Sequence, residues 1–470
     1  MTHSSNIPVA IAGAGIAGLT LGLKLVEGGI PVILIEREGV VGGLARSFTY
    51  PNGAVFDIGP HRFHTDSAEV RDFLLDILGD DYHWIPRNST LFLYDRYLPW
   101  PMRLKNVLAM PPTLLAAAGL DLLRRRKARD ESFEDYIIER YGRVLYKTFF
   151  QPYTEKFLDY TCANLHRDWA MTGINRATID KRLDTTSLWG FAKSVLLSKQ
   201  PDTRFIYPLS GGIGVFPEKM AARFQQQGGR LLLAAEISDF QGQDGRITSI
   251  VTTGDEVIPV RHVFWSGSLD ALRRVGCAPE STPRLHYMST VLFNYVTRKR
   301  LTPGFQWCYF GDRHMEASRA CLPRLFNPSL APPEKEAICI EVSCSEDSAA
   351  WRDPARLDCV VETFLLHARM LNSLDDIEDY HVERVRETYP LYVLNYPRKL
   401  RGVFDWAHAT WSNLSLIGRT GRFWYNNMDH SIEASLRTAE RYLADQSEGN
   451  TRPGRDYEAE DRYLDGAGTP

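Results

Sequence analysis

The first fifty residues constrain the fold more than any other stretch of the chain. Pro8-Val9-Ala10-Ile11-Ala12 is a short apolar run of the kind that forms a parallel strand buried on both faces. Gly13-Ala14-Gly15-Ile16-Ala17-Gly18 follows at once and fits the pattern GxGxxG. Leu19 to Glu27 reads as a helix stopped by Gly28-Gly29, and Pro31 to Ile35 as a second buried strand. Glu36 ends that strand, 23 residues after Gly13. Each part suits a dinucleotide. Gly13 permits the tight turn, Gly15 lets backbone approach a pyrophosphate, and Gly18 allows close packing of helix on strand. The free N–H groups of the helix start, around Ala17, attract phosphate, and Glu36, with Arg37 beside it, can reach a ribose hydroxyl. A glycine-rich turn with an incidental acid is the plainer alternative, and it leaves the acid's position unexplained.

Composition narrows the class. The chain has 470 residues, 44% hydrophobic and 24% charged, which is globular usage and corresponds to about three domain-equivalents. With 55 basic and 58 acidic residues the net charge is −3, which argues against a nucleic-acid partner. Seven cysteines without a CxxC pair argue for a reducing compartment and against a disulfide framework or a metal site. Neither a signal peptide nor an uninterrupted spanning helix is expected. Leu104 to Leu123 is largely apolar and is followed by the basic run Arg124 to Arg129. It reads as core helices with a solvated end or as a face for peripheral contact with anionic membrane through 104–129. The expected location is cytoplasmic, with membrane association as the variant.

After Glu36 the chain reads Arg37-Glu38-Gly39-Val40-Val41-Gly42-Gly43-Leu44-Ala45-Arg46. This second glycine pair resembles the FAD-binding opening of the flavin amine oxidase superfamily, which includes protoporphyrinogen oxidases, carotenoid desaturases and UDP-galactopyranose mutases. The resemblance implies FAD, with Gly42, Gly43, Leu44 and Arg46 beside its diphosphate. Two further stretches are similar to the mutases: Gly59-Pro60-His61-Arg62-Phe63-His64-Thr65, and Gly418-Arg419-Thr420-Gly421-Arg422-Phe423-Trp424-Tyr425-Asn426-Asn427-Met428-Asp429.

In that family the first loop lies against the flavin ring. This makes Gly59, Pro60, His61 and His64 candidates, the histidines as catalytic groups. In the second, Arg419 and Tyr425 map to residues near the substrate diphosphate and the flavin, and Gly418, Asn427, Met428 and Asp429 border the cofactor. Ile237 is a further cofactor contact. Arg176 and Arg182 stand roughly where the mutases carry an arginine cluster that this sequence does not reproduce, and Asn427 replaces a family aspartate. Tyr389 and Tyr392 either line the site or are core aromatics. Arg319 to Pro328 and Ala337 to Glu341 look like protoporphyrinogen-oxidase-like relatives.

The expected fold is α/β: a Rossmann-like FAD-binding domain interleaved with a mixed helical and antiparallel-sheet substrate domain. The cofactor domain takes residues 1–90, 204–270 and 411–446. Residues 91–203 form a helical cap, 271–410 the antiparallel-sheet substrate domain, and 447–470 a disordered tail. Two activities compete. One is a mutase-like enzyme acting on a nucleotide sugar or related diphosphate through reduced flavin. The other is a flavin oxidase or dehydrogenase working on an amine, porphyrinogen or lipid-like carbon. A flavin-stabilised scaffold is a third reading.

Overall fold

Five short apolar strands lie parallel in the order Leu414–Leu416, His262–Trp265, Val9–Ala12, Val32–Ile35, Arg230–Leu232. The computed structural model describes residues 7–100, 111–123, 131–174, 204–298, 304–312 and 315–448. All residues of the four strands other than 230–232 are buried, because both faces of the sheet are covered. Val9, Ile11, Val32, Leu34 and Phe264 meet the helices Ile16–Glu27, Val215–Gln226 and Met428–Ser447. Ala10, Ala12, Ile33, Ile35, Val263 and Trp265 meet Ile237, Phe240, Ile247 and Ile250. These last four belong to an antiparallel meander, Ile237–Gln243, Arg246–Thr252 and Val257–Pro259. Its first turn is Asp244-Gly245, both with positive φ (52° and 71°), the geometry that Asp-Gly favours.

The second sheet has seven strands, ordered Ile377–Pro390, Tyr287–Thr297, Glu336–Cys344, Arg319–Cys321, Trp307–Phe310, Ser89–Leu93, Arg96–Trp100. All neighbours are antiparallel except 307–310 with 89–93. The long strand 377–390 carries no alternation of apolar and polar residues. Its charged sequence, IEDYHVERVRETYP, keeps only some of its residues inside. The 89–100 hairpin turns at Tyr94-Asp95 (φ 54° and 58°).

Residues 133–158 form a helical run in three pieces. Phe133–Leu145 is kinked at Gly142 (φ 82°), Tyr146–Phe150 is a π-helical turn, and Gln151–Leu158 completes it. Such π turns re-aim side chains and recur at functional sites, and this one starts a run of aromatic rings that leads to the candidate site. Of the two readings of 104–123, the core helix is not the one that residues 112–121 fit. Helix Pro112–Leu123 leaves Ala116, Ala117 and Leu120 exposed. Arg176, Arg182, the segments 104–110 and 124–129, and the tail from 449 lie outside the described residues. Among the described residues no helix is long and apolar enough to cross a membrane.

Candidate active site

The glycine turn leaves no room for side chains. Gly13 has φ 100°, and a Cβ on Gly18 would stand 2.0 Å from the Gly13 carbonyl oxygen. Gly15 backs onto the second glycine pair. It bridges to Gly42, and a Cβ on Gly43 (φ 56°) would come within 3.2 Å of the Gly15 Cα. The first turn of helix 16–27 has no side-chain cap, so its N–H groups are available to an anion. Glu36 is buried, and its carboxylate accepts the N–H groups of Ala14 (2.8 Å) and Glu38 (3.0 Å). The backbone running towards Ile237 passes the same place, since Ala235 N–H donates to the Glu36 carbonyl. Arg37 is 3.7 Å from Glu387 and Arg46 is 3.4 Å from Glu38. The Arg46 Nε is buried without a hydrogen-bond partner, and Leu44 packs against the cluster around Phe56 and Trp307.

A second helix start converges on the first. Gly418 (φ 71°) lies so close to Ala17 that a Cβ would sit 2.7 Å from the alanine's, and a Cβ on Gly28 would stand 2.5 Å from Leu443. Helices 16–27 and 428–447 therefore run side by side in the same direction. The second, capped by no side chain at Asn427, begins at the same end. Asp429 follows in its first turn, 3.1 Å from His430, and Met428 packs on the helical core. Both uncapped helix starts, the facing glycines and the buried Arg46 Nε fit a phosphate-bearing cofactor.

The loop between Gly418 and Met428 is tied down from three sides. Arg419 donates to the carbonyls of Asn426 (2.7 Å) and Thr388 (2.6 Å). Tyr287 donates to the Thr420 carbonyl. The Tyr392 hydroxyl donates to the Phe423 carbonyl and accepts the Tyr425 N–H. Tyr392 is thus a backbone brace, buried against Tyr396, and it is Tyr389 that faces the cluster.

That cluster joins arginines to rings. The Arg419 guanidinium lies 4.7 Å from the Tyr425 ring centroid and 5.0 Å from that of Tyr389. Arg319 holds Glu341 through two bonds (2.7 and 2.5 Å) and donates to the Tyr389 hydroxyl (3.1 Å). Trp169 stacks on Tyr425 at 4.9 Å and 13°. From there rings continue through Phe157, Tyr153 and Phe149 to Trp100, with Tyr309 against Tyr153. Burial pushes the Tyr425 phenol up to about 12, so it stays a hydrogen-bond donor. Gly59 (φ 71°) presses its backbone on Glu341, where a Cβ would come within 2.7 Å of a carboxylate oxygen. Pro60 is buried beside it.

The same turn puts His61 next to both arginines. Burial first, then the charges of Arg319 and Arg419, lower its imidazole from 6.5 to about 4. It is neutral at physiological pH. The unfolded chain therefore binds more protons between those two values. The stability this contributes is complete above about pH 6.5 and is lost as pH falls through about 4, in all about 3 kcal/mol. Urea midpoints of His61→Gln should fall less steeply than wild type across that window, and equal slopes would contradict the assignment. His64 is placed apart from this group: its ring is exposed, 3.8 Å from Asp66, with its edge on Phe205.

The structure thus gathers His61, Arg419 and Tyr425 from the candidates that the sequence alone suggests. Tyr389, one of two tyrosines the sequence offers for the site, joins them, and the structure adds Tyr153, Trp169, Tyr309, Arg319 and Glu341. Arg319 and Glu341 sit within the stretches that carry the family resemblance, whereas Tyr153 and Trp169 carry no local signal.

A two-domain flavoenzyme architecture with a closing loop over its glycine turn is the class this defines. The chain belongs to the flavin containing amine oxidoreductase family, whose model matches residues 16–442, and it is a flavin-dependent enzyme. It is similar to the mitochondrial protoporphyrinogen oxidase of Nicotiana tabacum (39% identity over 77 residues) and to the UDP-galactopyranose mutase of Mycoplasma pneumoniae (38% over 66 residues). These matches take 16% and 14% of this chain and only 15% and 16% of those relatives. Its fold is similar to that of a crystal structure of reduced UDP-galactopyranose mutase, with a TM-score of 0.80 and 19% identity over 95% of this chain and 96% of that one.

Proposed function

We propose that the chain binds FAD and acts on a nucleotide sugar or related diphosphate, rearranging the sugar with the flavin in its reduced state and no net redox change. FAD suits the crossover from Gly13 to Glu36, which offers both a helix start to a diphosphate and a carboxylate to a ribose. The observation that carries the substrate is the convergence of Arg319 and Arg419 on Tyr389, each held rigid by Glu341 or by backbone carbonyls. Two guanidiniums fixed beforehand, Arg319 by its edge on Glu341 and Arg419 by carbonyls, turn their remaining N–H groups to a diphosphate, and fixing them lowers the cost of binding.

Bound flavin supplies electron-rich ring chemistry that no side chain here can. The chain supplies the rest. Arg319 and Arg419 take the charge of the departing diphosphate, and the protonated Tyr425 donates to it. His61, kept neutral, adds no competing charge beside them. Trp169, Tyr389 and Tyr153 offer ring faces to the sugar and keep water out.

The experiment compares oxidised and dithionite-reduced protein under anaerobic conditions with UDP-galactopyranose. Ring isomerisation by the reduced protein alone is expected. Peroxide release from an amine or apolar substrate, with no response to the UDP-sugar, would favour the oxidase reading instead.

A further inference from the structure

Two more guanidiniums stand beside the diphosphate arginines. Arg62 lies over Trp307, 4.0 Å from the ring centroid, and 4.9 Å from that of Phe205. Arg87 approaches the same Trp307 ring at 5.6 Å. Trp307 is completely buried and sits on the strand that also carries Tyr309, so both cations are held at the wall of the aromatic run. Arg62 uses one terminal nitrogen on the Pro60 carbonyl (3.3 Å), and its Nε is buried without a partner. Arg87 uses its Nε on Ser89. Tyr309, Arg87, Arg319 and Tyr425 are the charged and titratable groups that act most strongly on Arg62. Neither Arg62 nor Arg87 meets a carboxylate among the described residues. Burial and the neighbouring cations lower Arg62 from 12.5 to about 10, so it remains charged at neutral pH.

A part-buried cation whose strongest charged and titratable neighbours are cations and phenols favours an anion beside it. The second terminal nitrogen of Arg62 and the two of Arg87 make no hydrogen bond among the described residues, which leaves charge-assisted donors for a planar carboxylate. We propose that Arg62 and Arg87 form a second anion subsite and that the substrate carries a carboxylate on its sugar, an acidic nucleotide sugar in place of a neutral one. This rests on the diphosphate reading above and adds to it the charge of the sugar.

The test titrates flavin-loaded protein with UDP, UDP-galactose and UDP-galacturonate by calorimetry. The acidic sugar nucleotide should bind about 10-fold or more tightly than the neutral one. In Arg62→Gln and Arg87→Gln that preference should shrink to about 2-fold while UDP affinity changes little. Arg62→Lys, which keeps charge but not the fork, should give an intermediate ratio. Flavin content and melting temperature establish that each variant is folded, and the wild-type preference is read independently of them. UDP binding with no preference for the acidic sugar, or a preference that survives in folded variants, overturns the subsite and leaves the diphosphate reading standing. Failure of UDP itself to bind removes both.

Discussion

Replacing Gly18 with valine is expected to abolish flavin loading and to destabilise the fold by about 3 kcal/mol or more. The first carbon added would stand 2.0 Å from the Gly13 carbonyl oxygen and 3.3 Å from an Ile11 methyl. The nearest obstacle is backbone and cannot rotate away. The helix must lift off the strand, which moves its first turn out of line with the Gly42-Gly43 pair. A flavin-to-protein ratio and a thermal melt check this. Gly254→Ala is the control, because an added carbon there meets only the Thr252 hydroxyl at 3.9 Å and should load flavin as wild type does. Normal loading by Gly18→Val would mean that the packing of helix on turn does not shape the cofactor site.

The second large effect is expected from Arg419→Ala. The guanidinium bonds to Asn426 and Thr388 and lies over the Tyr389 and Tyr425 rings. Its loss removes one charged fork and loosens the loop that bears Tyr425. UDP affinity should fall about 100-fold or more, as expected for truncating one partner of a desolvated charge pair, while flavin is retained. Arg419→Lys should recover part of this loss, since a point charge replaces a planar fork. An affinity within about 2-fold of wild type in the alanine variant would show that the diphosphate is bound elsewhere.

The fold class and the family are legible in the sequence because they are written locally. A parallel strand buried on both faces must be apolar, and a turn that brings backbone within reach of phosphate must be glycine. Both rules act within a few residues of Gly13. The loops at 59–65 and 418–429 are recognisable for the same reason. What escapes a reading of the sequence depends on distant pairing. Strand 377–390 looks like a solvated charged segment until Tyr287–Thr297 is laid beside it. Asp244-Gly245 is a local exception, a hairpin signal present in the sequence itself. In the site, Arg319 and Glu341 are opposite residues of paired strands, a relation that sequence distance hides. Trp169 and Tyr153 become site residues only because the turns around 146–150 and 170–174 bring their rings toward Tyr425. Tyr389 and Tyr392, three positions apart, differ in role because one points at Arg319 and the other at the backbone of Phe423 and Tyr425.

The most direct measurement is a UDP titration of the flavin-loaded protein followed through the flavin's own visible absorbance. A saturable perturbation, absent or strongly weakened in Arg419→Ala, is predicted, because the arginines proposed to take a diphosphate adjoin His61 and the 418–428 loop, which also border the proposed cofactor cradle. A flavin spectrum that stays unchanged at saturating UDP would contradict the account.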